Sequence, residues 1–198
     1  RSLPLTGVTV VEAAAIIASP LGASMLADLG ARVIKLEPIA GDPFRLMAFG
    51  LGADRCNTDK ESIALNLKSE AGQKIAQDLV ASADLFIHNY RPGVPERLGL
   101  DYETLAKRNA RLVHLSATGY GTRGPGKIRP STHPVPGAAL GGVLYQFGEL
   151  PSTPLAYDEL LDVSRRLFRA NELNPDPNTS FVVASAAVMG LLAAAQTG

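Results

Sequence analysis

The sequence predicts an α/β domain: a parallel, doubly wound sheet with helices on both faces. Three observations carry that expectation. Short apolar runs alternate with helix-like segments through Ser116. Consecutive strands are separated by helical stretches, and parallel pairing needs such crossovers. The totals are 198 residues, 46% hydrophobic content and a formal net charge of zero, enough chain for one domain with its own core.

The elements follow in order. "GVTVVEA" reads as a buried first strand. "SPLGASMLADLG" reads as a helix with Ser19 as N-cap, Pro20 at the first helical position and Gly30 as its stop. "ARVIKLEP" is the second strand and "SIALNL" the third. "SEAGQKIAQDLVASA" is an amphipathic helix capped by Ser69. "DLFIHNY" is a strand, "DYETLAKRN" a helix, and "RLVHLSATGYG" a strand running into a glycine turn. Ligands of such sheets bind beyond the carboxyl ends of strands, so the loops after Glu12, Glu37, Leu67, Asn89 and Ser116 are the candidate site.

After Gly119 the chain turns rich in Gly and Pro, as a site-shaping loop would be. The segment 150–172 reads as an inserted excursion carrying a charged surface helix, "YDELLDVSRRLFRANE". The closing "FVVASAAVMGLLAAAQ" is a helix of small residues suited to tight packing. At fewer than about 20 residues it is too short for a membrane span.

Composition excludes several classes. A zero charge balance argues against nucleic acid or an anionic membrane as partner. The single cysteine, Cys56, fits a reducing, cytoplasmic setting. His88, His114 and His133 are scattered, and no Cys/His group has metal-ligand spacing, so no metal is expected. "RSLPLTG" lacks the shape of a signal peptide, and the first residue is Arg rather than Met.

Familiar chemical motifs are missing. The first βα turn reads "AAAIIASP", without the glycines that admit a dinucleotide pyrophosphate. "GYGTRGPGK" lacks P-loop spacing, and no G-x-S-x-G elbow occurs. His114 reads as a satisfied core histidine, while His88 is open to either reading. Lys35, Lys60, Lys68, Arg91 and Arg97 fall near carboxyl-end loops and together suit a phosphorylated ligand. Asp176, between two prolines ahead of the last helix, reads on its own as an N-cap followed by Pro177 in the first turn.

"PLTGVTVVEAAAIIASPLGASMLADLGARVIKLEPIAGDPFR" and the blocks "LGARVIKLEP", "NYRPG" and "GYG..GP", in that order, resemble the family III CoA-transferases, the CaiB/BaiF family. The resemblance covers the chain except roughly 150–172. It implies a Rossmann-like large domain, here 1–198, lacking the family's small second domain. It implies coenzyme A or an acyl-CoA as substrate, gripped by Ile16, Ile17 and Ala18, by Leu65, Asn66, Leu67 and Lys68, and by Asn89, Tyr90, Arg91, Arg97 and Leu98. It makes Asp176 the acyl-accepting nucleophile. A carboxylate at a helix N-terminus serves both as cap and as a nucleophile held ionised by the dipole. The implied reaction moves CoA from an acyl-CoA thioester to a small free carboxylic acid through an aspartyl anhydride and an aspartyl-CoA. Two alternatives stand beside it. One is a 2-methylacyl-CoA racemase in which His133 and Asp176 are paired bases. The other is a non-catalytic CoA-binding half of a tandem or split enzyme. The implied assembly is an interlocked homodimer, or a pairing with a second family III chain or half.

Overall fold

Five short strands pair side by side in parallel in the computed structural model, which describes residues 2–50, 52–131, 145, 147–148, 154–172 and 175–197. The strands are β1 (Thr9–Ala13), β2 (Arg32–Glu37), β3 (Lys60–Ala64), β4 (Leu85–His88) and β5 (Val113–Ser116), in the order β3-β2-β1-β4-β5. Val11 is level with Ile34 on one side and Phe86 on the other. The chain first winds outward from β1 and then crosses back to β4. The topological switch point therefore lies between the carboxyl ends of β1 and β4.

Side chains alternate across the sheet and build two cores. Val10, Val33, Leu85 and Ile87 face one way, against helices α1 (Ala18–Asp28) and α7 (Pro175–Thr197), which supply Ala23, Leu26, Val183 and Ala187. Val11, Leu36 and Phe86 face the other way, against α3 (Glu70–Ala81) and α5 (Tyr102–Ala106), which supply Ala76, Val80 and Leu105. Helices thus cover both faces, as the strand and helix alternation predicts. A 3-10 segment (Pro43–Gly50), α2 (Ala53–Asn57), α4 (Val94–Leu98) and the exposed, charged α6 (Tyr157–Glu172) complete the described elements.

Local signals behave as the chemistry requires, with three shifts. Ser69 caps α3 by accepting from the Gly72 N–H at 3.1 Å, and Gly30, at φ +99°, ends α1. Ser19, however, is not the cap of α1. Ile17 occupies that position with no side-chain cap bond, and Ser19 is buried in the first turn. β3 starts two residues earlier than "SIALNL" suggests, which leaves Asn66 and Leu67 in the turn that follows. The last helix begins at Pro175, so Asp176 is a first-turn residue rather than the N-cap. Pro needs no N–H partner there, which lets the helix start inside the Pro-Asp-Pro run.

That earlier start also changes the membrane argument. The stretch Asp176–Thr197 has 22 residues and a mean hydropathy of 1.6, long and apolar enough to cross a membrane by length and composition. Length therefore does not exclude a span. One face of the helix belongs to the core through Val183 and Ala187, while Phe181, Val182, Met189 and Leu192 are exposed.

Candidate active site

The loop from β1 to α1 sits at the switch point and is held by side chains from four directions. Lys35, on β2, donates to Glu12 Oε1 at 2.7 Å and to the Ala14 carbonyl at 2.9 Å, and its Nζ lies 3.0 Å from Asp42 Oδ2. Asp42 Oδ1 accepts from the Ile16 N–H at 3.2 Å and from the Phe44 N–H at 2.9 Å. Lys60, at the start of β3, pairs with Glu12 Oε2 and donates to the Pro20 carbonyl at 2.7 Å. Asn89, just beyond β4, accepts from the Ala15 N–H at 3.2 Å and donates to the Ala15 carbonyl at 2.8 Å.

The four charged side chains, Glu12, Lys35, Asp42 and Lys60, are at most 2% exposed. Two acids face two amines, so the cluster is neutral as a unit, the condition for burying charge. Burial pulls the Lys35 amine down, but Glu12 and then Asp42 outweigh it and leave it above the ordinary lysine value. Burial wins at Lys60, which lies below that value despite Glu12. Beside the cluster, Glu37 Oε1 accepts from an Arg45 terminal nitrogen at 2.5 Å, and its Oε2 accepts from the Asp42 N–H at 3.2 Å.

The cations suggested by the sequence therefore divide. Lys35 and Lys60 are internal and committed to carboxylates. Lys68, Arg91 and Arg97 are exposed near the carboxyl edge. This corrects the expectation that all five are available to a phosphorylated ligand. Sequence reading also missed Asp42. Its signal was the lysine inside the apolar run "VIKLE", since a buried lysine demands acidic partners.

The remaining candidates line the same edge. Ile16, Ile17 and Ala18 follow β1, with Ile16 at φ +73° and Ile17 packed near Phe44, Ala53 and Cys56. Leu65 and Leu67 are part-buried beside the second core, and Asn66 bonds its own turn by accepting from the Lys68 N–H at 3.1 Å. Tyr90 and Leu98 pack against the same core. Asn89 spends its carboxamide on the Ala15 peptide. His133 lies outside the described residues.

His88 ends β4 and is 2% exposed. Its Nδ1 accepts from the Tyr90 N–H at 3.2 Å, and its ring stacks on the Tyr90 ring at 5.5 Å between centroids. Burial, with a smaller push from His114, lowers its pKa to about 4, so the ring is neutral at pH 7. Burial also raises the Tyr90 hydroxyl to about 12. His114 is the satisfied histidine that its apolar strand suggests, with Nε2 3.1 Å from the Leu100 carbonyl oxygen.

Asp176 reaches this region through helix packing. A Cβ on Gly22 would stand 2.9 Å from both the Ser180 carbonyl oxygen and Val183 Cγ1, so α1 and α7 touch backbone to backbone there. Gly22 is one turn into α1 and Ser180 one turn past Asp176. The carboxylate is thus about 6 Å of helical rise from that contact. The Ser180 hydroxyl, fully buried, donates to the Asp176 carbonyl oxygen at 2.7 Å. Among the described residues no group of three or more His, Cys, Asp or Glu is arranged to hold a metal ion.

Residues 5–198 match the model of CoA-transferase family III. The chain is 39% identical over 163 residues to the succinyl-CoA–L-malate CoA-transferase beta subunit of Chloroflexus aurantiacus, covering 78% of this chain and 40% of that protein. It is 42% identical over 159 residues to the cinnamoyl-CoA:phenyllactate CoA-transferase of Clostridium sporogenes, covering 74% and 39%. A solved CaiB/BaiF family protein from Brucella suis superposes with a TM-score of 0.77 at 30% identity, over 100% of this chain and 51% of that one. The chain spans about two fifths of those two curated relatives and about half of the solved structure. The chain belongs to CoA-transferase family III.

Proposed function

We propose that this chain is the CoA-binding, nucleophile-bearing part of a CoA-transferase that moves CoA from an acyl-CoA thioester to a free carboxylic acid. The observation that carries the reading is the position of Asp176. It stands in the first turn of α7, one turn from the contact with α1, and α1 is fed by the loop at the switch point. The positive end of the α7 dipole favours negative charge there. The relatives, named as CoA-transferases for different acids, support the class of reaction and leave the acyl group open.

In this reading the Asp176 carboxylate attacks the thioester carbonyl, and the C–S bond breaks to give a mixed anhydride and CoA thiolate. The thiolate attacks the aspartyl carbonyl, which releases the first acid and leaves an aspartyl-CoA thioester. The acceptor carboxylate then attacks that thioester, forming a second anhydride and freeing the thiolate again. Attack of the thiolate on the acceptor's carbonyl gives the new acyl-CoA and restores Asp176. Lys68, Arg91 and Arg97 supply the exposed positive charge suited to CoA phosphates. Tyr90, Leu65, Leu67 and Leu98 supply apolar walls. The exposed apolar face of α7 is the surface we assign to a second chain or to further family sequence.

The test is an intact-protein mass spectrum after mixing with short acyl-CoAs, with and without hydroxylamine. A hydroxylamine-sensitive CoA adduct at Asp176, lost in Asp176→Asn, is expected. Folded, CoA-binding protein without that adduct would remove Asp176 from the nucleophile role. Exchange of the α-hydrogen with no acceptor acid present would point to a racemase instead.

A further inference from the structure

The 14–20 segment, which is the β1–α1 loop together with the first turn of α1, contains no glycine, yet Ile16 adopts φ +73°. A β-branched residue is strained there. Such a conformation persists when its surroundings over-determine it. Here they do. The Ala14 carbonyl is held by Lys35, both Ala15 backbone groups by Asn89, the Ile16 N–H by Asp42 and the Pro20 carbonyl by Lys60. Lys35 donates to Glu12 and to the Ala14 carbonyl and is ion-paired with Asp42 at 3.0 Å, so its buried ammonium is committed to partners inside the protein.

We propose that Lys35, Asp42 and Asn89 are positioning residues that lock the 14–20 segment in its strained form and thereby set the affinity for CoA. They act through the loop backbone without touching the ligand. The inference rests on reading that loop as a CoA contact. Stability alone gives no reason for these charges: a packed apolar cluster of similar volume holds a sheet as well as buried ion pairs do. An apolar cluster would not offer a donor to Ala14 or an acceptor to Ile16. If the loop holds its binding form only a tenth of the time, the apparent Kd rises about tenfold.

Two variants test this. Lys35→Met/Asp42→Asn keeps the cluster neutral, with Glu12 against Lys60, and removes the tether to Ala14. Asn89→Leu removes both bonds to Ala15 at a part-buried, uncharged position, and carries the test alone if the double variant fails to fold. Amide hydrogen exchange is followed at Ala15 and Ile16 beside Val11 and Ile34, and CoA affinity by calorimetry. We expect loop exchange to quicken about tenfold with the strand amides unchanged, and Kd for CoA to rise about tenfold. KM for the acyl-CoA should rise with it while kcat changes far less. Unchanged loop protection overturns the lock. A loosened loop with unchanged CoA affinity overturns its link to the ligand. If the parent chain binds no CoA, the functional reading fails, and with it the claim that the lock sets affinity.

Discussion

The carboxamide of Asn89 bonds both backbone groups of Ala15, its Oδ1 accepting at 3.2 Å and its Nδ2 donating at 2.8 Å. The β1–β4 register ends at Ala13 level with His88, and the Asn89 side chain adds one more rung after the backbones diverge. It crosses the switch point where an α/β sheet keeps its ligand site.

Replacing Asn89 with Ala should therefore lower stability by about 1–2 kcal/mol, the net worth of two part-buried hydrogen bonds. Urea unfolding measures it. A midpoint equal to that of the parent would mean that the two loops hold together without this link.

Gly22→Ala tests the helix contact that positions Asp176. The new Cβ would meet a backbone oxygen and Val183, at 2.9 Å each, and the backbone cannot rotate away. A cost of about 1–3 kcal/mol is expected, with the aspartyl-CoA adduct reduced as α7 shifts. Thermal unfolding together with the adduct yield decides. Full yield at parental stability would mean that the two helices tolerate separation.

Glu12→Gln should be among the most damaging single changes. It leaves Asp42 alone against two buried lysines, an uncompensated charge that costs about 3–5 kcal/mol. Glu61→Gln breaks a tidy Arg32 pair of 2.6 and 2.8 Å, but that pair stands in solvent, and no measurable change is expected. Comparing the two variants by denaturant titration separates buried from exposed ion pairs in one protein.

His88 predicts a pH dependence. Its ordinary pKa of 6.5 falls to about 4 in the fold, so between those values the unfolded chain binds a proton that the folded chain refuses. Stability is complete above pH 6.5 and is lost as pH falls towards 4, by about 3 kcal/mol over the window. His88→Leu should flatten that part of the stability profile. An unaltered slope would assign the acid sensitivity to other groups.

The alternation of apolar strands and capped helices determined the fold class from sequence, because periodicity and caps such as Ser69 and Gly30 are written in neighbouring residues. The strand-end loops were legible for the same reason: a parallel sheet puts its ligand edge where the strands end. Asp176 stood out as a residue, and its neighbours alone left cap and nucleophile both open, since the two share one sequence signature. Even the cap was misplaced, because the helix begins at Pro175. What tertiary structure alone decided was the partnership of charges. "VIKLE" says that Lys35 is buried among apolar neighbours. It does not say that Glu12, Asp42 and Lys60, from β1, a turn and β3, converge with it, or that Asn89 closes the same loop from 74 residues away. Those pairings depend on which strands lie side by side, and strand order is a property of the folded sheet that no local stretch of sequence contains.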